Sequence, residues 1–160
     1  MRLTSATPIA VFAVALSFTS IASARADDKP KWTMNSEKSE VTLAYGDDSE
    51  ETDLALICKP HSNSVKIFVG ETDKSLKPKM QVTATFSAGA AKATVAGKTL
   101  ANELAGVPSF EGDLPATDPL FDAMASAPSI SLKVAKSAKT ISLKTIGSKA
   151  LAFSKACRKS

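Results

Sequence analysis

A chain of 160 residues with 20 basic and 16 acidic side chains carries a formal charge of +4, a balance that says little about its partners. Its length suffices for one hydrophobic core and excludes two. A single histidine and two cysteines exclude a zinc site built from several His or Cys ligands, so we expect neither a metal nor a cofactor.

The first 26 residues have the layout of a secretory signal peptide. Arg2 gives a positive start, residues 8–21 form a short apolar core, and Ala24-Arg25-Ala26 places small residues where signal peptidase reads them. The apolar core is short for a membrane span, although a retained signal anchor is the alternative. We expect cleavage before Asp27, a periplasmic location, and one mature domain over residues 27–160 without a transmembrane segment.

Charge is distributed unevenly along the predicted mature chain. Residues 27–53 hold nine acids against three lysines, whereas residues 129–160 hold eight cations and no acid. Such asymmetry arises when the two ends of a chain attract each other in the fold, or when one end meets an anionic partner. We favour attraction within the fold.

Short alternating runs predict β-strands through the first half of the mature chain. Apolar residues recur at every second position, and turn-forming residues such as Gly46 and Pro60 separate the runs. Gly89 lies in a plausible hairpin turn between the last two runs. The predicted strands cover residues 41–45, 54–58, 65–69, 82–86 and 91–95.

The segment over residues 100–116 is the least regular part of the chain. Loops on a rigid scaffold often carry binding residues. We therefore expect Val107, Phe110 and Leu114 to be at least partly exposed at one end of the domain, as part of a partner-binding surface. The residues that interrupt the pattern are Gly106, Pro108, Gly112 and Pro115.

Asp118-Pro119 predicts the start of a short helix. Aspartate caps a helix well, and proline fits the first helical position, where its missing N–H is not needed. Leu120, Phe121 and Met124 would form the buried face of this helix, which Pro128 ends.

A short internal repeat predicts an antiparallel hairpin. Residues 130–133 (ISLK) recur as residues 141–144, so both arms should present the same pattern around a turn at residues 136–139, with Lys133 and Lys144 on the outer face. The lysines of this hairpin form either a patch that faces an anion or a solvated face that protects an edge from aggregation, and we favour the solvated face. The candidate patch consists of Lys133, Lys136, Lys139 and Lys144.

The chain ends in a predicted helix that carries one of its two cysteines. Ser148 is the predicted cap, and Ala150, Phe153 and Cys157 fall on one face. The other cysteine, Cys58, faces inward on a predicted strand. Because an exported chain meets an oxidising compartment, we expect the two cysteines to form a disulfide with Cα atoms about 4.4–6.8 Å apart.

The residue types available favour a protein that is not an enzyme. His61 is the only histidine and lies in a turn sequence, and the basic end lacks the interleaved aromatic residues of a nucleic-acid site. Acidic residues near the irregular segment are the remaining candidates for catalysis on a glycan or for a calcium ion. We expect them to lie apart, with one of them capping the first helix. They are Glu103, Glu111, Asp113, Asp118 and Asp122.

The end of the chain resembles that of small exported two-cysteine proteins of alphaproteobacteria, which are often of unassigned function. The resemblance rests on Gly147, Ala150, Phe153 and Cys157, and on the Leu54–Cys58 strand. It implies a disulfide-linked, β-rich periplasmic domain and carries over no active site.

These patterns together predict a mainly β domain, an antiparallel sandwich or flattened barrel with one or two short helices, the last of them disulfide-linked to a strand. We expect a non-catalytic periplasmic module that binds another protein or an envelope component, for example as an inhibitor of a hydrolase. The alternatives are a glycan hydrolase that uses carboxylates and an envelope protein that contacts lipopolysaccharide through the lysine-rich hairpin.

Overall fold

The structure is a computed structural model that describes residues 29–47 and 52–159. The predicted signal peptide and residues 48–51 of the acidic run lie outside the described residues. Within the described ranges, no helix is long and apolar enough to cross a membrane.

The described residues contain nine strands and two helices. The strands are β1 (Lys31–Ser36), β2 (Val41–Gly46), β3 (Thr52–Cys58), β4 (Ser64–Val69), β5 (Gln81–Ala88), β6 (Ala91–Leu100), β7 (Ser109–Pro115), β8 (Ser129–Val134) and β9 (Ser137–Ser142), and the helices are α1 (Pro119–Ala123) and α2 (Ser148–Cys157). All pairings are antiparallel, in one sheet with the order β1-β2-β3-β4-β7-β6-β5-β8-β9.

The sheet curls into a half-barrel, and both helices pack against it. Helix α2 lies against β1 and β2, whereas α1 lies against β5, β6 and α2. The rings of Phe121 on α1 and Phe153 on α2 are 6.3 Å apart between centroids. Trp32 on edge strand β1 donates its indole N–H to the carbonyl of Ser142 on the other edge strand, β9, at 2.8 Å. Strands and helices thereby share one core.

This architecture confirms the predicted mainly β, antiparallel domain with two short helices, in its barrel-like form. The alternating runs from residue 41 to residue 95 all form strands. Two strands, β1 and β7, were not predicted. The alternation of apolar residues did not reveal β7, because a glycine occupies one of the inward positions of this strand.

The prediction that Val107, Phe110 and Leu114 form an exposed surface is wrong. All three side chains are buried, with exposed fractions of 9%, 0% and 7%. Phe110 and Leu114 lie on β7, which pairs with β4 on one side and β6 on the other. Strand β7 is therefore central to the sheet, and its inward side chains belong to the core.

Two facing glycines make the space that Phe110 occupies. Gly97 of β6 pairs directly with Gly112 of β7. A Cβ atom on Gly97 would lie 2.6 Å from Cε2 of Phe110, and one on Gly112 would lie 3.0 Å from Cζ of the same ring. The aromatic ring thus covers backbone that has no side chain of its own, an arrangement known from strands in which an aromatic residue compensates for glycine.

Two details of the last third also differ from the sequence prediction. The hairpin turn is Ala135–Lys136, because Val134 pairs with Ser137, and Lys133 lies opposite Ala138 instead of near Lys144. A two-residue turn suits the tight twist of paired strands, and Ala135 accordingly has a positive φ of 51°. At α2, the N-cap position is occupied by Gly147 and no side chain caps the helix, so the predicted cap by Ser148 is wrong.

The disulfide between Cys58 and Cys157 is confirmed. It joins β3 to the last residue of α2, with Cα atoms 5.7 Å apart and a sequence separation of 99. Both cysteines are buried in the core. Closing so long a loop restricts the unfolded chain, which in the chain-entropy view stabilises the fold by about 4–5 kcal/mol.

The turn between β3 and β4 caps the end of α2 beside this disulfide. The N–H of His61 donates to the carbonyl of Ala156, and the N–H of Asn63 donates to that of Cys157, both at 2.9 Å. These bonds satisfy carbonyls that the last turn of a helix leaves without partners. His61 and Asn63 have positive φ values of 59° and 58°, an uncommon conformation that aims both N–H groups at the helix.

We expect loss of the disulfide to destabilise the domain by about 2–5 kcal/mol. Cys157→Ser and the double variant Cys58→Ser/Cys157→Ser should lose similar free energies of unfolding in urea. The oxidised wild type should fall to the same level when reductant is added, while the double variant, as the control, should not respond. Equal unfolding midpoints for oxidised and reduced wild type would contradict this role of the bond.

We expect Gly112→Ala to destabilise the domain by about 1–3 kcal/mol, because the new methyl group would lie 2.6 Å from Cγ1 of Val95 and overlap the ring of Phe110. Phe110→Ala should cost about 3–5 kcal/mol. In the double variant Phe110→Ala/Gly112→Ala, the new methyl group no longer meets the ring. Its cost in free energy of unfolding should therefore be at least about 0.5 kcal/mol below the sum of the two single costs. If the free-energy costs of the two single variants simply add up in urea unfolding, the ring of Phe110 does not pack against Gly112.

Candidate functional site

The four lysines predicted as an anion-facing patch do not lie together as one group. Lys133 is on the outer face of β8, and Lys144 follows the end of β9. The backbone N–H of Lys136 donates to Oδ2 of Asp73 at 2.9 Å. Lys139 forms an ion pair with Asp53 of β3. Attraction between the acidic and basic ends of the chain is thus present within the fold, at the Asp53–Lys139 pair.

Three of the five candidate carboxylates have separate surroundings, although Asp118 and Asp122 are only one helical turn apart at α1. Asp118 caps α1, accepting a hydrogen bond from the N–H of Leu120 at 2.9 Å. Asp122 pairs with Arg158, with 2.7 Å between its Oδ1 and the guanidinium Nη2. Glu103 is exposed in a turn.

The other two, Glu111 and Asp113, come together, contrary to our expectation. They project from the outer face of β7 and line one depression of about 530 Å³ with Glu40. Glu111 lies 3.4 Å from Nζ of Lys66 and 3.8 Å from Nζ of Lys98. Its carboxylate is therefore engaged by two ammonium groups on neighbouring strands.

His61, the lone histidine, lies in the turn that caps α2. Its Nδ1 is 3.1 Å from the carbonyl oxygen of Arg158. Among the described residues, no three His, Cys, Asp or Glu side chains are grouped so as to hold a metal ion.

A more distinctive site lies at the end of β6, in a groove of about 340 Å³ that we call the Leu104 groove. Phe68 of β4 and Leu100 of β6 contribute partly buried apolar surface. Leu104 forms one wall and is itself 88% exposed, far more than any other large apolar side chain in the described residues. The groove is lined by Thr52, Asp53, Phe68, Gly70, Glu71, Leu100, Ala101, Asn102, Leu104, Ala105 and Ser109.

Asn102 fixes the turn that presents Leu104. Its side-chain amide donates to the carbonyl of Gly70 at 3.0 Å, and its side-chain oxygen accepts from the N–H of Ala105 at 3.1 Å. The N–H of Gly106 then donates to the Asn102 carbonyl at 3.1 Å, and Gly106 supplies the positive φ of 66° that the turn requires. The exposed leucine is therefore held on a braced turn.

The opposite wall of the groove is fixed by the connector between β4 and β5. The N–H of Gly70 donates to the carbonyl of Asp53 at 3.1 Å. Two residues on, Thr72 donates both its N–H, at 3.0 Å, and its hydroxyl, at 2.6 Å, to the carbonyl of Pro108. Glu71 stands between these anchors, so its position on the rim of the groove is set by the backbone.

Carboxylates predominate around the groove. Asp53 and Glu71 line it, and Glu103 is exposed next to Leu104. Lys139 compensates the charge of Asp53 alone. The groove thus combines an apolar floor with an acidic rim.

The groove is lined in part by the irregular segment over residues 100–116, but Val107, Phe110 and Leu114 are not among its lining residues. The available signal was the placement of Leu104 between Asn102 and Gly106, two residue types that favour turns, which indicates an apolar side chain at a loop tip. Thr72 and Glu71 gave no local signal, because their roles depend on contacts with distant segments.

Comparison with known proteins finds no matching family model, no similar curated protein and no similar solved structure. The case for a function therefore rests on the geometry of the sites.

We expect the pKa of the Asp73 carboxyl, which ties the connector to the β8–β9 turn, to be lower than that of an ordinary aspartate. Hydrogen bonds from the N–H and hydroxyl of Ser75, and then from the N–H of Lys136, favour its charged form. Its contribution to stability is therefore present at neutral pH and is lost as pH falls through the lowered pKa.

The measurement is an NMR titration of the Lys136 amide resonance, which should move with a midpoint below that of aspartate in an unstructured peptide. Ser75→Ala should raise the midpoint, and Asp73→Asn should abolish the transition. Asp113→Asn is the control and should leave it unchanged. A midpoint in Ser75→Ala equal to that of the wild type would contradict the assignment.

Proposed function

We propose that this protein is a non-catalytic binding module that acts outside the cytoplasm and binds a partner polypeptide at the Leu104 groove. The observation that carries the proposal is a leucine that is 88% exposed and yet held in place by a buttressed turn. Exposing an apolar side chain and fixing it there costs free energy, which binding of an apolar partner surface would offset.

The shape of the site favours a polypeptide over a small molecule. Small-molecule sites enclose their ligand, whereas Leu104 projects beyond the groove that it borders. Protein interfaces often combine a projecting apolar anchor on one side with an apolar pocket beside it. A groove of about 340 Å³ has room for one or two side chains of the partner.

The charge on the rim specifies the partner further. Glu71 has no ion pair within the described residues, so it is available to a basic side chain. Glu103 also has no ion pair there, but it lines a neighbouring depression with Lys74 and Lys77. We therefore expect the partner segment to carry an apolar residue with lysine or arginine next to it. Complementary charge of this kind contributes mainly to specificity and to the rate of association.

The disulfide supports the proposed location outside the cytoplasm. A buried disulfide is typical of proteins that fold in an oxidising compartment, and the predicted signal peptide supplies a route there. Resemblance to small exported two-cysteine proteins of alphaproteobacteria supports a periplasmic location.

A glycan hydrolase is the weaker hypothesis. Glu111 and Asp113 share a depression, but it lies on the outer face of a sheet, and Glu111 is engaged by two lysines. A glycosidase needs one carboxyl that holds a proton for the leaving oxygen, in a cleft that positions the sugar. The surroundings of Glu111 favour a structural role in cross-strand ion pairs.

The test is peptide selection. A displayed library of random peptides is selected on the wild-type protein and counter-selected on Leu104→Asp. We expect the enriched peptides to pair an apolar residue with lysine or arginine. Burying a leucine is worth about 1.5–3 kcal/mol, so Leu104→Asp should weaken the best peptide roughly tenfold to a hundredfold in Kd, and Glu71→Gln should weaken it less.

Leu151→Asp is the matched control, because Leu151 is the other exposed leucine, 56% exposed, and lies on α2. It should leave the affinity unchanged, and amide resonances of residues 101–106 should shift when the peptide is added. Selected peptides that bind Leu104→Asp as well as they bind the wild type would overturn the proposal.

A further inference from the structure

The outer face of four neighbouring strands carries an ordered array of lysine and hydroxyl side chains. The pairing places Lys92, Ser87, Ser131 and Thr140 in one row across β6, β5, β8 and β9. The next row contains Thr94, Thr85 and Lys133. We call these two rows the hydroxyl-lysine face.

The spacing of this face follows from the sheet. Neighbouring strands lie about 5 Å apart, and residues on one face of a strand recur about every 7 Å. The two lysines are therefore two strands and one step apart, with hydroxyl groups between them. Most of these side chains line a shallow depression of about 520 Å³.

Most polar groups of this face have no partner among the described residues. Within residues 29–47 and 52–159, Lys92 and Lys133 make no ion pair or hydrogen bond, and neither do the hydroxyls of Thr85, Ser87 and Thr94. Strands β5, β6, β8 and β9 contain no aspartate or glutamate at all. The hydroxyls of Ser131 and Thr140 bond each other at 3.2 Å, so the face presents uncompensated positive charge beside three unpartnered hydroxyl groups and one hydroxyl pair.

Protection against aggregation does not explain Lys133, which lies inside the sheet. Charged residues that prevent edge-to-edge pairing are needed on edge strands. Lys133 pairs with Thr85 of β5 on one side and with Ala138 of β9 on the other. Lys92 pairs with Ser87 of β5 alone, because β6 pairs with β7 only over residues 97–100. The edge strand β9 carries Lys139, which is already paired with Asp53.

We propose that the hydroxyl-lysine face binds an acidic polysaccharide. Lysine ammonium groups would meet its carboxylates, and the rows of serine and threonine would exchange hydrogen bonds with its hydroxyls. Other anionic partners fit less well. The strand residues of this face include no exposed aromatic or large aliphatic side chain, which a nucleic-acid base, a membrane interior or the core of a protein interface requires.

This surface is distinct from the Leu104 groove. Lys92 and Leu100 are eight residues apart on β6, about 26 Å along an extended strand. The proposal therefore stands or falls independently of the polypeptide partner.

The test uses polygalacturonate, a carboxylate-bearing polysaccharide, with neutral dextran as the reference polymer. By isothermal titration calorimetry at low ionic strength, we expect binding to polygalacturonate and none to dextran. Lys92→Gln/Lys133→Gln should weaken the binding about tenfold and flatten its salt dependence. Lys149→Gln/Lys155→Gln on α2 removes the same charge elsewhere and should leave it unchanged.

A second variant tests the hydroxyl groups. Thr85→Val/Ser87→Ala removes two hydroxyl groups, keeps the charge and places residues that a β-strand accepts. Because only the glycan has hydroxyls to bond, the variant should weaken the binding of polygalacturonate and leave the binding of poly-glutamate unchanged. Circular dichroism of each variant establishes that the fold is retained.

Three results would overturn the proposal. The first is that Lys149→Gln/Lys155→Gln weakens polygalacturonate binding as much as Lys92→Gln/Lys133→Gln does. The second is that poly-glutamate binds as tightly as polygalacturonate and depends equally on Lys92 and Lys133. The third is binding to vesicles that contain anionic lipid without binding to polygalacturonate, which would assign the face to a membrane surface.

Discussion

The packing of α2 against β1 and β2 is the contact on which the rest of the structure depends. A single curled sheet has only one face to bury, so its core exists only if something fills the curl. Helix α2 does so with Ala150, Phe153 and Cys157, and its amphipathic face alone would hold a ten-residue helix weakly. Contacts with other parts of the chain must therefore stabilise this helix.

Covalent and hydrogen-bonded attachments meet at the end of α2. The disulfide joins it to β3, and the turn after β3 supplies the N–H groups of His61 and Asn63 to its last carbonyls. Arg158, the next residue, extends the attachment to the other helix: its Nε donates to the carbonyl of Ala116 at 3.2 Å, and its Nη2 pairs with Asp122 of α1. A backbone conformation that is costly at His61 is tolerated because these contacts offset it.

The sequence predicted what depends on local pattern, and it failed where distant segments decide. Strands such as β4 alternate cleanly, and the echo that predicted the β8–β9 hairpin is seen as Ile130 paired with Ile141. Strand β7 broke the pattern because Gly112 occupies an inward position, and the ring that covers it, Phe110, then looked like a loop residue. No property of β7 alone indicates that Gly97 lies opposite.

The same distinction applies to the candidate sites. The exposed Leu104 could have been suspected between two turn-forming residues, but its brace runs from Asn102 to Gly70, 32 residues away. Lys92 and Lys133 belong to strands that are not adjacent, and only the order β6-β5-β8 brings them to one surface.

The strand order also keeps the two proposed binding surfaces, which carry opposite charge, apart from each other. The Leu104 groove lies at the Leu100 end of β6, and Lys92 of the hydroxyl-lysine face lies near the other end of the same strand. Because they lie farther apart than the screening length of about 8 Å at physiological salt, neither field cancels the other. The two proposed ligands, a basic polypeptide and an acidic polymer, would therefore not compete for one surface, and the same charges would disfavour their exchange between sites.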